Sequence, residues 1–284
     1  MNTNSKLNPG TRLRIYIFLA VLTMGAYAYV YQAEPFGQPW GDAILNYTYV
    51  IAAAAGASVF SRIWRSFAPT DRPRTTWKYF AWGLWSWTLA EVLWGTYALI
   101  YGEDMALLTP ADIFWVLGII LLMLAVTFQL QLTSKRPPEK VKRIGLFVIL
   151  VVIIVSLLVT VLLKQFFYND IAWLELLIYV FYPLSELAIG FAALKFKRAF
   201  GRGQWAYPWL ALLTFVISDT AYSWLAISGI YDISMKGDFL SLCADLLYLA
   251  AYLTLALVGY AHLSLIKYGP RWQKSKHESS VDWS

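Results

Sequence analysis

The chain has 284 residues, of which 59% are apolar and only 14% charged, with a formal net charge of +6 and a mean hydropathy of +0.54. A soluble domain keeps roughly a quarter of its residues charged, so this composition excludes a soluble globular protein and points to a chain dissolved in lipid. Long apolar stretches of ~20 residues, the length that crosses a bilayer as a helix, alternate with short polar turns. The short alternating segments of a membrane β-barrel are absent.

Eight spans are predicted, at 13–31, 40–61, 79–101, 111–133, 144–165, 170–194, 207–228 and 240–264. The first begins with basic residues and ends in "AYA", the outline of a signal peptide, but its apolar run is longer than a signal core and predicts a retained helix. The second carries Asp42, Asn46 and Tyr49. The third holds Trp82, Trp85 and Trp87, which cannot share one helix face, and then "AEVLWGTYALIYG" (90–102), where Glu91 shares a face with Trp94 and Gly95. The fourth opens with "ADIFWVLGI" (111–119), bearing Asp112 and Trp115.

A basic segment, 134–143, leads into the fifth span, with Lys164 at its far end. In the sixth, Glu175, Tyr179, Tyr182 and Glu186 step by four, three and four and fall on one face, while Pro183 is expected to kink the helix. Asp219, Tyr222 and Ser223 share a face in the seventh span, and Asp245, Tyr248 and Tyr252 in the eighth. Trp40, Trp205 and Trp209 near helix ends read as interface anchors. The single cysteine, Cys243, excludes an internal disulfide. With only His262 and His277, near or beyond the last helix end, no imidazole haem or zinc site can be built, and no cofactor is expected.

Charge placement predicts the orientation. The segments 1–14, 62–78, 134–143 and 195–202 and the tail from 267 hold 21 of the 23 Lys and Arg; only Lys164 and Lys236 lie elsewhere. With eight spans these segments share one side. Positive charge stays cytoplasmic, so both termini are predicted inside, in the inner membrane of a prokaryote. The basic balance is then a topology signal facing lipid headgroups, and no nucleic-acid partner is expected.

The chain also repeats itself. "SDTAYSWLAISG" (218–229) restates the line that begins at Ala90, pairing Glu91 with Asp219 and Trp94 with Tyr222. "ADLLYLAAY" (244–252) restates "ADIFWVLGI", pairing Asp112 with Asp245 and Trp115 with Tyr248. The expected architecture is all-α: an N-tail (1–12), a four-helix repeat (13–133), a basic linker (134–143), a second, parallel repeat (144–264) and a basic C-tail (265–284). Parallel halves place a binding site near their interface.

An acid at the bilayer centre costs roughly 2.5–3.5 kcal/mol on insertion scales, so these acids are expected to face the bundle interior, protonated or hydrogen-bonded to tyrosines and backbone. Glu91, Trp94, Asp112, Trp115, Glu175, Tyr179, Tyr182, Glu186, Asp219, Tyr222, Asp245, Tyr248 and Tyr252 are the candidate ligand-binding residues of a pocket biased toward the outer half of the bundle, with Glu91 and Asp219 near the middle and Glu186 in the inner half. Two readings stand side by side. The acids are polar glue between helices, or they line a pocket suited to a small hydrophobic or cationic ligand.

The segments "AEVLWGTYALIYG…LTPADIFWVLGIILLMLA", "YPLSELAIG" and "SDTAYSWLAISGIY…ADLLYLAAYLTLALVG" resemble the multi-helix membrane sensor region of certain bacterial diguanylate cyclases and histidine kinases, over about 80–264. Three departures stand out. Thr109-Pro110-Ala111-Asp112 replaces a Pro-Ser-x-x-Asp form, Glu186 stands where an Asp is common, and no output domain follows the last helix. The resemblance implies a stand-alone input module acting through a separate cytoplasmic or membrane signalling partner. The alternatives are an intramembrane enzyme using carboxylic acids on an isoprenoid or lipid, a small-solute carrier, and a structural subunit of a membrane complex. No nucleophile triad, P-loop or nucleotide fingerprint is present.

Overall fold

The computed structural model describes residues 8–37, 39–101, 108–134, 136–167, 172–200, 204–231 and 239–269. They form eight long α-helices: α1 (Pro9–Ala33), α2 (Trp40–Arg65), α3 (Arg72–Tyr101), α4 (Ala111–Thr133), α5 (Pro138–Phe166), α6 (Trp173–Phe200), α7 (Tyr207–Ile227) and α8 (Phe239–Tyr268). The fold is all-α, and seven of the eight helices are long and apolar enough to cross a membrane. The exception is α3, whose Trp, Thr and Glu residues dilute its apolar character. Its length matches its neighbours, and it packs along both α2 and α4, its most extensive partners.

The helices outrun the predicted spans at their basic ends. α3 starts at Arg72 and α5 at Pro138, inside the segment predicted as a linker. Local chemistry explains this. Pro138 opens α5 where no intrahelical N–H bond is lost, and Asn8 caps α1 by accepting from the Gly10 N–H at 3.0 Å. Acids open α2 (Asp42), α5 (Glu139) and α6 (Glu175), while Arg62, Arg65, Lys197, Arg198 and Lys267 close α2, α6 and α8, each sign complementing the helix dipole. α6 runs uninterrupted through Pro183.

Side-chain contacts fix the direction of the helices. The C-terminal ends of α1, α3 and α7 meet the N-terminal parts of α2, α4, α6 and α8 around Asp112 and Asp245. At the opposite end Phe60, Trp77, Phe196, Trp209 and His262 meet. Successive helices therefore run up and down. Every described Lys and Arg except Lys164 lies toward that second end; Lys236 and His277 fall outside the described residues.

The pairing of helices has a regular form. α2–α3, α3–α4 and α1–α2 recur as α6–α7, α7–α8 and α5–α6, while α2–α8 and α1–α8 recur as α6–α4 and α5–α4. Exchanging the first four helices with the last four thus maps each of these pairings onto another.

Two aromatic expectations divide. Trp87 is 3% exposed, whereas Trp82 and Trp85 are 41% and 43% exposed on the outer face of α3. Trp40 and Trp205 are exposed, as expected of anchors, but Trp209 is 1% exposed. Its correction has a packing cause: at the start of α7 its ring turns inward between Phe80 (5.3 Å) and Phe196 (4.8 Å). His262 lies in the last two turns of α8, buried against Trp77 at 4.8 Å.

Gly83 and Gly118 let α3 and α4 approach closely. A Cβ on Gly83 would sit 3.0 Å from the Gly118 carbonyl oxygen. α1 and α5 stay at the periphery, with long apolar faces outward, such as Phe18, Val21 and Leu22 on α1 and Phe147, Leu150 and Leu158 on α5. Outward apolar faces are the lipid-facing pattern of a membrane bundle.

Candidate functional site

The repeated acids converge. A single cavity of about 100 Å³ is lined by Glu91, Asp112, Glu175, Asp219 and Asp245, together with Trp94, Trp115, Tyr179, Tyr182, Tyr222 and Tyr248. These are eleven of the thirteen candidates. The other two lie directly behind the wall: Tyr252, one turn from Tyr248 on α8, and Glu186, one turn from Tyr182 on α6. The cavity can hold several waters or one small organic group, since a water needs only ~10–15 Å³ on this measure.

Three of the acids, Glu91, Asp112 and Asp245, are each held by a distinct set of donors. Glu91 is 2% exposed, and its Oε1 accepts from Tyr252 OH at 2.6 Å, Tyr248 OH at 3.0 Å and Trp115 Nε1 at 3.2 Å. Two α8 hydroxyls and one α4 indole thus lock α3 in place. The α3 register is tightened further by Ser86 Oγ and Trp87 Nε1, which donate to the Phe114 and Trp115 carbonyls on α4 at 2.7 and 3.1 Å.

Asp112 organises the start of α4. Its Oδ2 accepts the Thr109 N–H at 2.8 Å, while Thr109 Oγ1 accepts the Ala111 N–H at 3.2 Å. These reciprocal bonds satisfy donors that a helix start leaves open. They leave Oδ1 to accept Tyr182 OH from α6 at 2.8 Å. Thr109-Pro110-Ala111-Asp112 therefore makes a closed turn with its acid aimed at α6.

Asp245 is the counterpart on α8. Its Oδ1 accepts Tyr231 OH at 2.8 Å and its Oδ2 accepts Tyr27 OH at 3.3 Å, while Tyr49 OH donates to its backbone carbonyl at 3.2 Å. Tyr27 and Tyr49 are themselves linked at 2.7 Å. Tyr49 on α2 approaches the Asp245 backbone carbonyl on α8, and Tyr182 on α6 approaches the Asp112 carboxylate on α4. Tyr231 reaches Asp245 because α7 ends in a left-handed turn. Gly229, at φ 65°, donates to the Ala226 carbonyl, and Ile230 N–H donates to Leu225 O at 3.0 Å, folding the chain back over the bundle.

Asp219 breaks the pattern. It is half-buried, faces the cavity, and its polar neighbours are Ser218 and the Glu186 carboxyl. Glu186 is 2% exposed, and neither of its oxygens meets an N–H or O–H donor among the described residues. Ser223 Oγ and Tyr179 OH, both on the cavity wall and nine-tenths buried, also lack a well-placed partner, although the Glu175 carboxylate neighbours Tyr179. The described lining includes no Lys, Arg or His.

Sequence reasoning missed Tyr27, Tyr49 and Tyr231 as site residues. Tyr49 had a signal in its spacing, which matches that of Tyr182. Tyr27 and Tyr231 had none: the first sits at the end of an otherwise lipid-facing helix, the second in a loop. Among the described residues no group of three or more His, Cys, Asp or Glu is placed to hold a metal ion. Comparison with protein-family models, with curated proteins and with solved structures finds no match for this chain.

Proposed function

We propose that this multi-pass membrane protein is a ligand-binding sensory module that takes a small organic cation into the acidic, aromatic cavity. The observation that carries the reading is the convergence of five carboxyl groups on one cavity whose described lining has no basic residue. Charge and aromatic faces together suit an ammonium or guanidinium group. Glu91, Asp112 and Asp245 are occupied by hydrogen bonds that join helices, so ligand contact falls to Asp219, Glu175 and the hydroxyls of Tyr179 and Ser223. The glue and pocket readings of the acids are thereby divided among different residues.

The rest of the proposal follows the sequence. The regular exchange of helix pairings supports two halves descended from one duplicated four-helix unit. The basic residues at the end opposite the cavity support cytoplasmic termini and an outward-biased site. The resemblance to sensor regions supports output through a separate signalling partner on the basic side.

Titration of the purified protein with tert-butylammonium and with its neutral isostere tert-butanol tests the cavity. Only the cation is expected to raise the melting temperature, by the equivalent of about 2.7 kcal/mol at a hundredfold excess over Kd. Asp219→Asn is expected to abolish that rise. Equal effects of the two compounds would overturn the reading. Orientation has its own check: reporters fused to the N and C termini should both be active only in cytoplasmic form. Opposite results at the two ends would mean that α3 does not span.

A further inference from the structure

Glu186 and Asp219 pose a hydrogen-bonding problem that the rest of the cavity does not. An ionised carboxylate only accepts hydrogen bonds. Among the described residues Glu186 meets no N–H or O–H donor, and its contact is with another carboxyl, Asp219. The bare acceptors of Glu186, set against the Asp219 carboxyl, are satisfied when one proton lies between the two groups. The groups facing Asp219 from neighbouring elements are Glu91 on α3, Tyr182 on α6, Tyr222 on its own helix, and Tyr248 and Tyr252 on α8, none of them cationic. The Tyr248 and Tyr252 hydroxyls are already committed to Glu91. Asp219 also lines the cavity, whereas Glu186 lies behind it, so the pair joins the cavity to the deeper interior.

We infer that the Glu186–Asp219 pair is an exchangeable proton site, and that a cation entering the cavity displaces its proton, making ligand binding proton-coupled. The exchange balances in charge. Before binding, the pair holds two carboxyl groups and one proton, with a net charge of −1. The O–H bond then breaks, the proton leaves to solvent, and the monocation compensates the second carboxylate, restoring −1. Neither an oxidant nor a second reactant is needed. The pair has no equivalent in the first half, where Ala53 occupies the position corresponding to Glu186 and Glu91 is answered by hydroxyl and indole donors instead.

This inference rests on the cation reading of the cavity, and one experiment separates the two. Tert-butylammonium is added to the full-length protein in weakly buffered detergent solution, with heat and pH recorded together. The expected result is about one proton released per cation bound, and an apparent affinity that falls about tenfold per pH unit of acidification. Glu186→Gln gives Asp219 an amide donor in place of the proton. It should bind the cation with no proton release and a flat pH profile, while Glu186→Asp should restore release. Cation binding without proton release by the wild-type protein would overturn the inference and leave the cation reading standing. Equal release from the wild type and Glu186→Gln would overturn it as well, placing the proton outside the pair. No binding at all would overturn both. The wild-type proton count decides the matter even if Glu186→Gln fails to fold.

Discussion

Replacing Glu91 with leucine is expected to remove most of the folded protein, because one carboxylate oxygen serves three buried donors. Tyr252 OH, Tyr248 OH and Trp115 Nε1 all converge on Glu91 Oε1. Each buried donor that loses its acceptor costs about 1–3 kcal/mol. The two tyrosines partly rescue one another, since their hydroxyls lie 3.2 Å apart and either can donate. Two stranded donors then remain, and the loss comes to roughly 2–6 kcal/mol. Glu91→Gln keeps an acceptor oxygen and should cost about 1 kcal/mol, the worth of an ordinary hydrogen bond. Thermal unfolding followed by size-exclusion chromatography in detergent would rank wild type above Glu91→Gln and both well above Glu91→Leu. A leucine variant as stable as wild type would mean that cavity water satisfies these donors, so that Glu91 does not lock α3 to α8.

Gly118→Ala should be nearly as damaging, for a steric reason. The added methyl group would overlap Cδ1 and Nε1 of the Trp87 indole and press to 3.0 Å from the Gly83 carbonyl oxygen. Trp87 cannot swing clear. It is 3% exposed, packs at 4.8 Å against Phe215, and donates to the Trp115 carbonyl at 3.1 Å. Overpacking of this kind costs about 1–3 kcal/mol, and breaking the indole hydrogen bond adds about 1 kcal/mol. Because Trp87 also forms part of the cavity wall, cation binding should weaken along with stability. A double-mutant cycle identifies the cause: in a Trp87→Ala background the same methyl group should cost little, a coupling expected only between residues in contact. Additive effects would show that the helix backbones, rather than the indole, resist the methyl.

The candidate site was legible in the sequence to an unusual depth, and the reason is helical periodicity. Glu175, Tyr179, Tyr182 and Glu186 had to share one face of α6, just as Asp245, Tyr248 and Tyr252 had to share one of α8. Burial of acids in a lipid-soluble chain required those faces to point inward. Periodicity gives a direction around each helix, but it does not say which donor answers which acceptor. The division of labour among the acids was therefore invisible: Glu91 saturated by three donors, Asp112 closing a helix start, Asp219 left to Glu186. Tyr231 was also invisible, because its position depends on the left-handed turn at Gly229. Trp209 was misread because a tryptophan near a helix end has the same composition signal whether its ring turns toward the headgroups or into the core.

The sequence by itself determined the class of the protein, its eight helices and the set of residues that face inward. These follow from transfer free energies and the 3.6-residue period, which act on each helix separately. The tertiary structure alone decided that the inward faces meet around one cavity, that α3 stands among the apolar helices although its own composition is less apolar, and that Glu186 meets no donor among the described residues. Those outcomes depend on how far helices distant in sequence approach one another, set by contacts such as Gly83 against Gly118 and Tyr182 against Asp112, and no single helix encodes them.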